Sequence, residues 1–311
     1  VVLSLALAAC SPEVTTVTDS GLPATSLNKG KGGGGSTPPP PPPPPPSPTY
    51  PLGVQDFNLT VEEMRAGGWT LAFQEEFTAT DLSLWSVWHG GAWNNELQLY
   101  RNDPANLSVS GGVVTITARR EAVPVTGPAN PYDSAPKSFG FTSARLESFR
   151  HFSASRTTPS VRMAARIRLP AGHGIWPAFW SYGDPWPTQG EIDILEMRGD
   201  VPTYYETAYW YGRRSGVNLV STPATVIGPT VDLTGGFHVY EMIWTSDALS
   251  FYFDGILVDV KTGGYVPSMY GKSQRLVLNV AVGGDFFPTL DVTRIPDSAV
   301  MTVDWVRVFT K

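Results

Sequence analysis

The run Gly190-Glu191-Ile192-Asp193-Ile194-Leu195-Glu196-Met197 constrains this chain more than any other stretch, because it threads three carboxylates through an apolar segment of strand character. In an extended strand, period two puts Glu191 and Asp193 on one face and Ile192 and Ile194 on the other, against a core. Glu196 breaks that parity. It lies five residues beyond Glu191, so a regular strand would drive it into the core, where an unpaired charge is costly. One extra residue restores the pattern. A β-bulge near Ile194-Leu195 returns Glu196 to the face of Glu191 and Asp193, and bulges recur beside sites where a side chain must be re-aimed.

The rest of the chain supplies partners for such a strand. Beyond Tyr50 it consists of short runs rich in Val, Ile, Phe, Tyr and Thr, punctuated by Gly, Pro, Asn and Asp. Leu107 to Ala118, Val161 to Leu169, Phe237 to Thr245, Leu249 to Val260, Leu276 to Val282 and Met301 to Phe309 read as strands, with a turn at Asp254-Gly255. Val61 to Arg65 is the best candidate for a short helix. Strands dominate without βαβ alternation, which predicts an all-β, two-sheet antiparallel sandwich. With 311 residues, 41% of them hydrophobic, there is enough apolar material for one large core.

The first fifty residues differ. Val1 to Ala9 is almost wholly apolar, as the hydrophobic region of a secretory signal is, and Leu7-Ala8-Ala9-Cys10 resembles a bacterial lipobox, whose cysteine is lipidated after cleavage. The alternative is a plain signal peptide with an incidental thiol. Residues 11–50 hold a glycine run and the prolines from Pro38 to Pro46, which read as a disordered tether with a polyproline rod rather than as a ligand for an SH3-type domain. The expected organisation is residues 1–10 as signal or lipobox, 11–50 as linker and 51–311 as one catalytic domain. The expected location is secreted, or on the cell surface or outer membrane of a bacterium as a lipoprotein. Cys10 is the only cysteine, so no intrachain disulfide can form. The net charge of -6 speaks against nucleic acid or an acidic membrane surface as the main partner, and leaves the lipid on Cys10 as the expected membrane contact.

Paired carboxylates suit double displacement at a glycosidic bond, with one as nucleophile and the other as proton donor and then base. A third between them can hold one glutamate protonated near neutral pH while another stays ionised. A solvated strand face or a calcium site is the alternative for the acidic run alone. The flanking aromatics shift the balance: Trp176, Trp180 and Trp186 lie just upstream, and flat rings beside acids suit the apolar faces of sugars. Either Trp176 or Trp180 is expected to pack partly inside, and Trp186 to face the cleft. The histidines, His89, His151, His173 and His238, lack metal-ligand spacing, and His173 either contacts substrate or has no special role.

Further segments carry a resemblance: Gly68-Trp69-Thr70-Leu71, Glu75-Glu76-Phe77, Trp93-Asn94-Asn95-Glu96-Leu97-Gln98-Leu99-Tyr100, Thr142-Ser143-Ala144-Arg145, Ala165-Arg166-Ile167-Arg168, Trp176-Pro177-Ala178-Phe179-Trp180, Asn279-Val280-Ala281-Val282-Gly283-Gly284 and Asp304-Trp305-Val306-Arg307-Val308. In this order, over nearly all of residues 68–311, they resemble glycoside hydrolase family 16, most closely its bacterial endo-1,3-β-glucanase (laminarinase) branch. The resemblance implies a β-jelly-roll with a concave substrate cleft. It makes Glu191 the nucleophile, Glu196 the acid/base and Asp193 the assisting carboxylate, in a monomer that needs no catalytic cofactor. The five-residue spacing is that of the bulged branch, which includes agarases and carrageenases besides laminarinases; lichenases and xyloglucan transglycosylases use four.

The same resemblance puts Asn94, Asn95 and Glu96 on a loop at the nonreducing-side subsites, though the asparagines can instead merely shape a turn. It leaves Arg145 and Arg166 either touching sugar or pairing with acids. It implies a structural calcium ion on the convex side, held by Glu76, Asp304 and a carbonyl near Gly112. This chain departs from the pattern at Glu75, at Ala164 and at Thr207-Ala208-Tyr209-Trp210, where many relatives have a histidine, so Tyr209 or Trp210 is expected to alter the leaving-side pocket. The leading expectation is retaining endo-hydrolysis of β-1,3-glucan, with mixed-linkage 1,3-1,4-β-glucan as a further substrate. The alternatives are an endo-hydrolase of a marine galactan such as agarose, and a non-catalytic β-glucan-binding protein.

Overall fold

A computed structural model describes residues 57–311 apart from 131, 132 and 230. The expectations for the signal, for Cys10 and for the linker fall outside the described residues. In chain order the elements are α1 (Val61–Ala66), β1 (Thr70–Glu75), β2 (Trp85–Val87), β3 (Gln98–Tyr100), β4 (Leu107–Ser110), β5 (Val113–Asn130), β6 (Asp133–Ser143), β7 (Arg145–Phe152), β8 (Val161–Arg168) and β9 (Ile175–Tyr182). They continue with β10 (Glu191–Glu196), β11 (Tyr205–Trp210), β12 (Thr225–Ile227), β13 (His238–Trp244), β14 (Ala248–Phe253), β15 (Ile256–Thr262), α2 (Val266–Met269), β16 (Gln274–Val282) and β17 (Ser298–Thr310). Among the described residues no helix is long and apolar enough to cross a membrane.

The strands form two sheets, as an all-β jelly-roll sandwich requires. One has ten strands, in the order β15-β14-β13-β8-β17-β5-β6-β3, with β1 on β17 and β4 on β5; the other has seven, in the order β12-β11-β10-β9-β16-β7-β2. Pairing is antiparallel except between β3 and β6, which run parallel. The expected turn at Asp254-Gly255 joins β14 to β15 with both residues at positive φ, 46° and 77°, the geometry that two-residue hairpins need.

Alternation explains where the core sits. From the seven-stranded sheet Phe179, Ile192, Ile194, Leu278 and Val280 meet Ile116, Met163, Ile167, Met242 and Val303 of the other sheet in one buried cluster. A bulge in β17 between Val303 and Trp305 turns Trp305 to the outer face of the ten-stranded sheet, where it packs with Leu59 and Met64 on and before α1. That helix starts at a capping box in which Thr60 and Glu63 satisfy each other's backbone N–H groups.

Candidate active site

β10 lies inside the seven-stranded sheet, bonded to β9 on one side and β11 on the other. Its register carries the expected extra residue. Asp193 and Glu196 oppose Ala208 and Glu206 of β11, three steps against two, and Asp193 and Leu195 oppose Trp180 and Phe179 of β9, two steps against one. The bulge therefore sits at Ile194-Leu195, with both side chains buried in the core. Glu191, Asp193 and Glu196 share the opposite face. Gly190, at φ 80°, sets the strand's entry; a Cβ there would lie 2.6 Å from Met269 Sδ.

Each carboxylate accepts an indole N–H. Trp186 Nε1 donates to Glu191 Oε2 at 2.9 Å, Trp210 Nε1 to Asp193 Oδ2 at 2.9 Å and Trp176 Nε1 to Glu196 Oε1 at 3.0 Å. Burial pushes all three carboxyls up, Asp193 to about 7, and for Glu191 and Glu196 the charge of Asp193 adds to the effect. The indole hydrogen bonds oppose it by favouring the ionised forms. Crowded in this way, the three groups hold their protons more tightly than ordinary carboxyls do, as a site that both donates and accepts protons requires.

Trp186 meets Glu191 from its loop, and neither Trp176 nor Trp180 turns to the core. Trp176 and Trp180 both stay on the carboxylate face, because Phe179 between them takes the core position. Trp176 stacks on Phe286, and Trp180 donates to Asn279 Oδ1 at 2.7 Å. Of the two residues at the histidine position, Tyr209 is turned inward and buried in the core cluster, while Trp210 faces Glu191 across the strands.

Arg145 resolves as a partner of an acid. Its Nε and Nη2 reach Glu147 Oε1 at 2.9 and 2.7 Å, and the guanidinium lies over Trp88 and Trp180, 4.4 and 4.8 Å from the ring centroids. Arg166 belongs to the other sheet, where it pairs with Asp304 at 2.7 Å. Glu96 is buried: Oε2 accepts from Gln98 Nε2 at 2.6 Å and Tyr100 OH at 3.3 Å, and burial raises its carboxyl to about 7. Asn94 and Asn95 are exposed at φ 57° and 55°, a left-handed pair that shapes the turn. Asn95 Nδ2 also donates to Asp285 Oδ1 at 2.8 Å, tying this loop to the one after β16. Both nitrogens of His173 are used within loops, Nε2 by the Asp291 N–H at 3.0 Å and Nδ1 facing Asp200 at 3.4 Å.

The residues expected to hold calcium do not fit the ion in this arrangement. Glu76 is gripped by Arg307 through Nε and Nη2 at 2.7 and 2.8 Å, and Asp304 by Arg166, so each carboxylate already faces a cation that would repel a second. Among the described residues no group of three or more His, Cys, Asp or Glu side chains is placed to hold a metal.

Sequence reasoning did not single out Glu147, Tyr182, Asn279 or Arg275 as part of the site. Tyr182 OH donates to Glu147 at 3.1 Å, Arg275 Nη1 adds an ion pair at 3.1 Å, and Asn279 Nδ2 donates to Tyr100 OH at 3.1 Å. Asn279 left a signal, a lone amide within the apolar run of β16.

Residues 92–305 match the family described as Glycosyl hydrolases family 16. The chain belongs to glycosyl hydrolase family 16. A beta-glucanase of Rhodothermus marinus is 31% identical over 79% of this chain and 86% of its own length. The glucan endo-1,3-beta-glucosidase A1 of Niallia circulans is 29% identical over 78% of this chain and 38% of its own. The solved endo-beta-1,3-glucanase of Pyrococcus furiosus superposes with a TM-score of 0.64 at 32% identity, covering 78% of this family 16 chain and 94% of that one. Several relatives are longer, and the chain spans 34 to 56% of their lengths.

Proposed function

We propose that this family 16 chain is a retaining endo-β-1,3-glucanase acting by double displacement. The observation that carries the reading is the bulge that returns Glu196 to the face of Glu191 and Asp193. Glu191 attacks the anomeric carbon as Glu196 gives its proton to the departing oxygen; water, deprotonated by Glu196, then frees Glu191. Asp193, between them, keeps the two glutamates in different protonation states. The half-buried rings of Trp176, Trp180 and Trp186 offer planar surfaces for pyranose faces, and the exposed amides of Asn94 and Asn95 suit neutral hydroxyls. The glucanase names of the relatives support β-1,3-glucan over agarose as substrate, with mixed-linkage glucan as a second. Retention of both glutamates supports catalysis over mere binding.

Glu191→Gln is expected to abolish reducing-sugar release from laminarin without changing the near-UV circular dichroism spectrum, and proton NMR of early product should show the β-anomer. Undiminished cleavage by that variant, or α-anomer as first product, sinks the mechanism. Laminarin, mixed-linkage glucan and agarose assayed in parallel decide the substrate. We also read Cys10 as a lipid attachment site and residues 11–50 as a tether that holds the domain off a membrane; labelling with a radioactive fatty acid, lost in Cys10→Ser, tests this.

A further inference from the structure

Glu206 of β11 stands directly opposite Glu196 in the register. Two carboxylates facing each other across an antiparallel pair repel unless a cation intervenes. Here the cation is Arg198, just past the end of β10, whose Nη1 pairs with Glu206 Oε1. The same guanidinium lies 3.8 Å from the ring centroid of Phe286, and its Nε donates to the Phe286 carbonyl at 2.9 Å. Phe286 stacks on Trp176, with centroids 4.4 Å apart and planes at 18°, and Trp176 donates to Glu196. The contacts close a ring that runs from Glu196 through Trp176, Phe286, Arg198 and Glu206 back to Glu196 across the strands. Double displacement by Glu191 and Glu196 uses neither Arg198 nor Glu206.

We propose that Arg198 and Glu206 are positioning residues for Glu196: Glu206 sets a negative charge against it that favours its protonated form, and Arg198 moderates that charge while pinning the Phe286–Trp176 stack that orients it. The inference rests on the reading of Glu196 as acid/base. The charged groups around Glu196 are Glu191 and Asp193 on its own strand, Glu206 on β11 and Arg198 beyond β10. β9, on the other flank, carries no charged side chain, and Asp285 in the loop beside Phe286 is engaged by Asn95. The negative charges of Asp193, Glu191 and Glu206 all raise the proton affinity of Glu196.

The test follows the indole N–H of Trp176 by nitrogen-proton NMR across pH, assigned with Trp176→Phe. Because this group donates to Glu196, its resonance reports ionisation there with or without turnover, and Glu196→Gln should remove the response. In Glu206→Gln the midpoint is expected to fall, and the alkaline limb of kcat/KM on laminarin to fall with it at nearly constant KM. Arg198→Gln should raise the midpoint and displace the resonance, while Arg198→Lys, which keeps the charge, should hold the midpoint near wild type. An unmoved midpoint in Glu206→Gln overturns the proposal, as does a fall in Arg198→Gln; if Glu206→Gln does not fold, the two Arg198 variants decide. Should the wild-type protein cleave no glucan, the indole titration still judges this pair, and the lost cleavage counts against the proposed reaction alone.

Discussion

Trp210 donates its indole N–H to Asp193 from the strand position directly opposite Glu191, so one side chain on β11 touches the middle carboxylate and faces the outer one. A hydrogen bond to a charged group is worth about 1.5–3 kcal/mol. Trp210→Phe keeps the ring and removes the donor, and kcat on laminarin should fall about tenfold or more. Because the indole favours ionised Asp193, the acidic limb of the kcat profile should move to higher pH. A rise in KM at constant kcat would instead assign Trp210 to sugar stacking.

The raised carboxyls make the fold pH-sensitive in a defined direction. Asp193 is lifted from its ordinary 3.8 to about 7, chiefly by burial. Below the ordinary value it is neutral in folded and unfolded chains alike and costs nothing by linkage; as pH climbs toward 7 the unfolded chain ionises first and gains. Asp193→Asn is therefore expected to leave Tm nearly unchanged at pH 4 and to raise it at pH 8. Melting curves across that window check the sign, and a gain larger in acid than in base contradicts it.

Arg145 and Glu147 are each about 5% exposed in their side chains, so breaking their pair strands a buried charge. Arg275 and Tyr182 also reach Glu147, which limits the damage. Arg145→Met should cost about 2–4 kcal/mol in urea unfolding, somewhat less than complete loss of a buried partner would at the upper end. Arg145→Lys should recover only part, since an ammonium cannot present the Nε–Nη2 fork.

Ile194 is 1% exposed and sits in the bulge, whereas Leu278 on β16 is fully buried in the same core but in regular strand. Either residue changed to Ala should cost about 2–4 kcal/mol. Ile194→Ala should also cut kcat well beyond the loss in Leu278→Ala, because its cavity lets the bulge relax and Glu196 move. Equal kcat in the two variants, at matched stability loss, would separate the bulge from catalysis.

Much of this was legible because it depends on local alternation. The parity of Glu191, Asp193 and Glu196 calls for one extra residue, and the register supplies it at the expected place. Val161–Arg168 and the hairpin at Asp254-Gly255 follow from the same kind of pattern. Arg145 and Glu147 lie two apart on β7 and so share a face, but nothing local shows that Tyr182 and Arg275, from strands distant in sequence, also hold Glu147. Trp176 and Trp180 are a related case, since they share a strand parity that Phe179 does not. Parity alone does not say which face is the core, and the packing of β9 beside β10 shows that Phe179 takes it. The calcium expectation came from resemblance alone, and carried no information about the arginines that face Glu76 and Asp304.

The strand that bears the acids is bonded along both flanks, so its surplus residue has no free edge toward which to slide. For descent with modification this makes the distance between the two glutamates indivisible. A spacing one residue shorter would remove the surplus residue, and the buried Ile194 and Leu195 would have to repack with it.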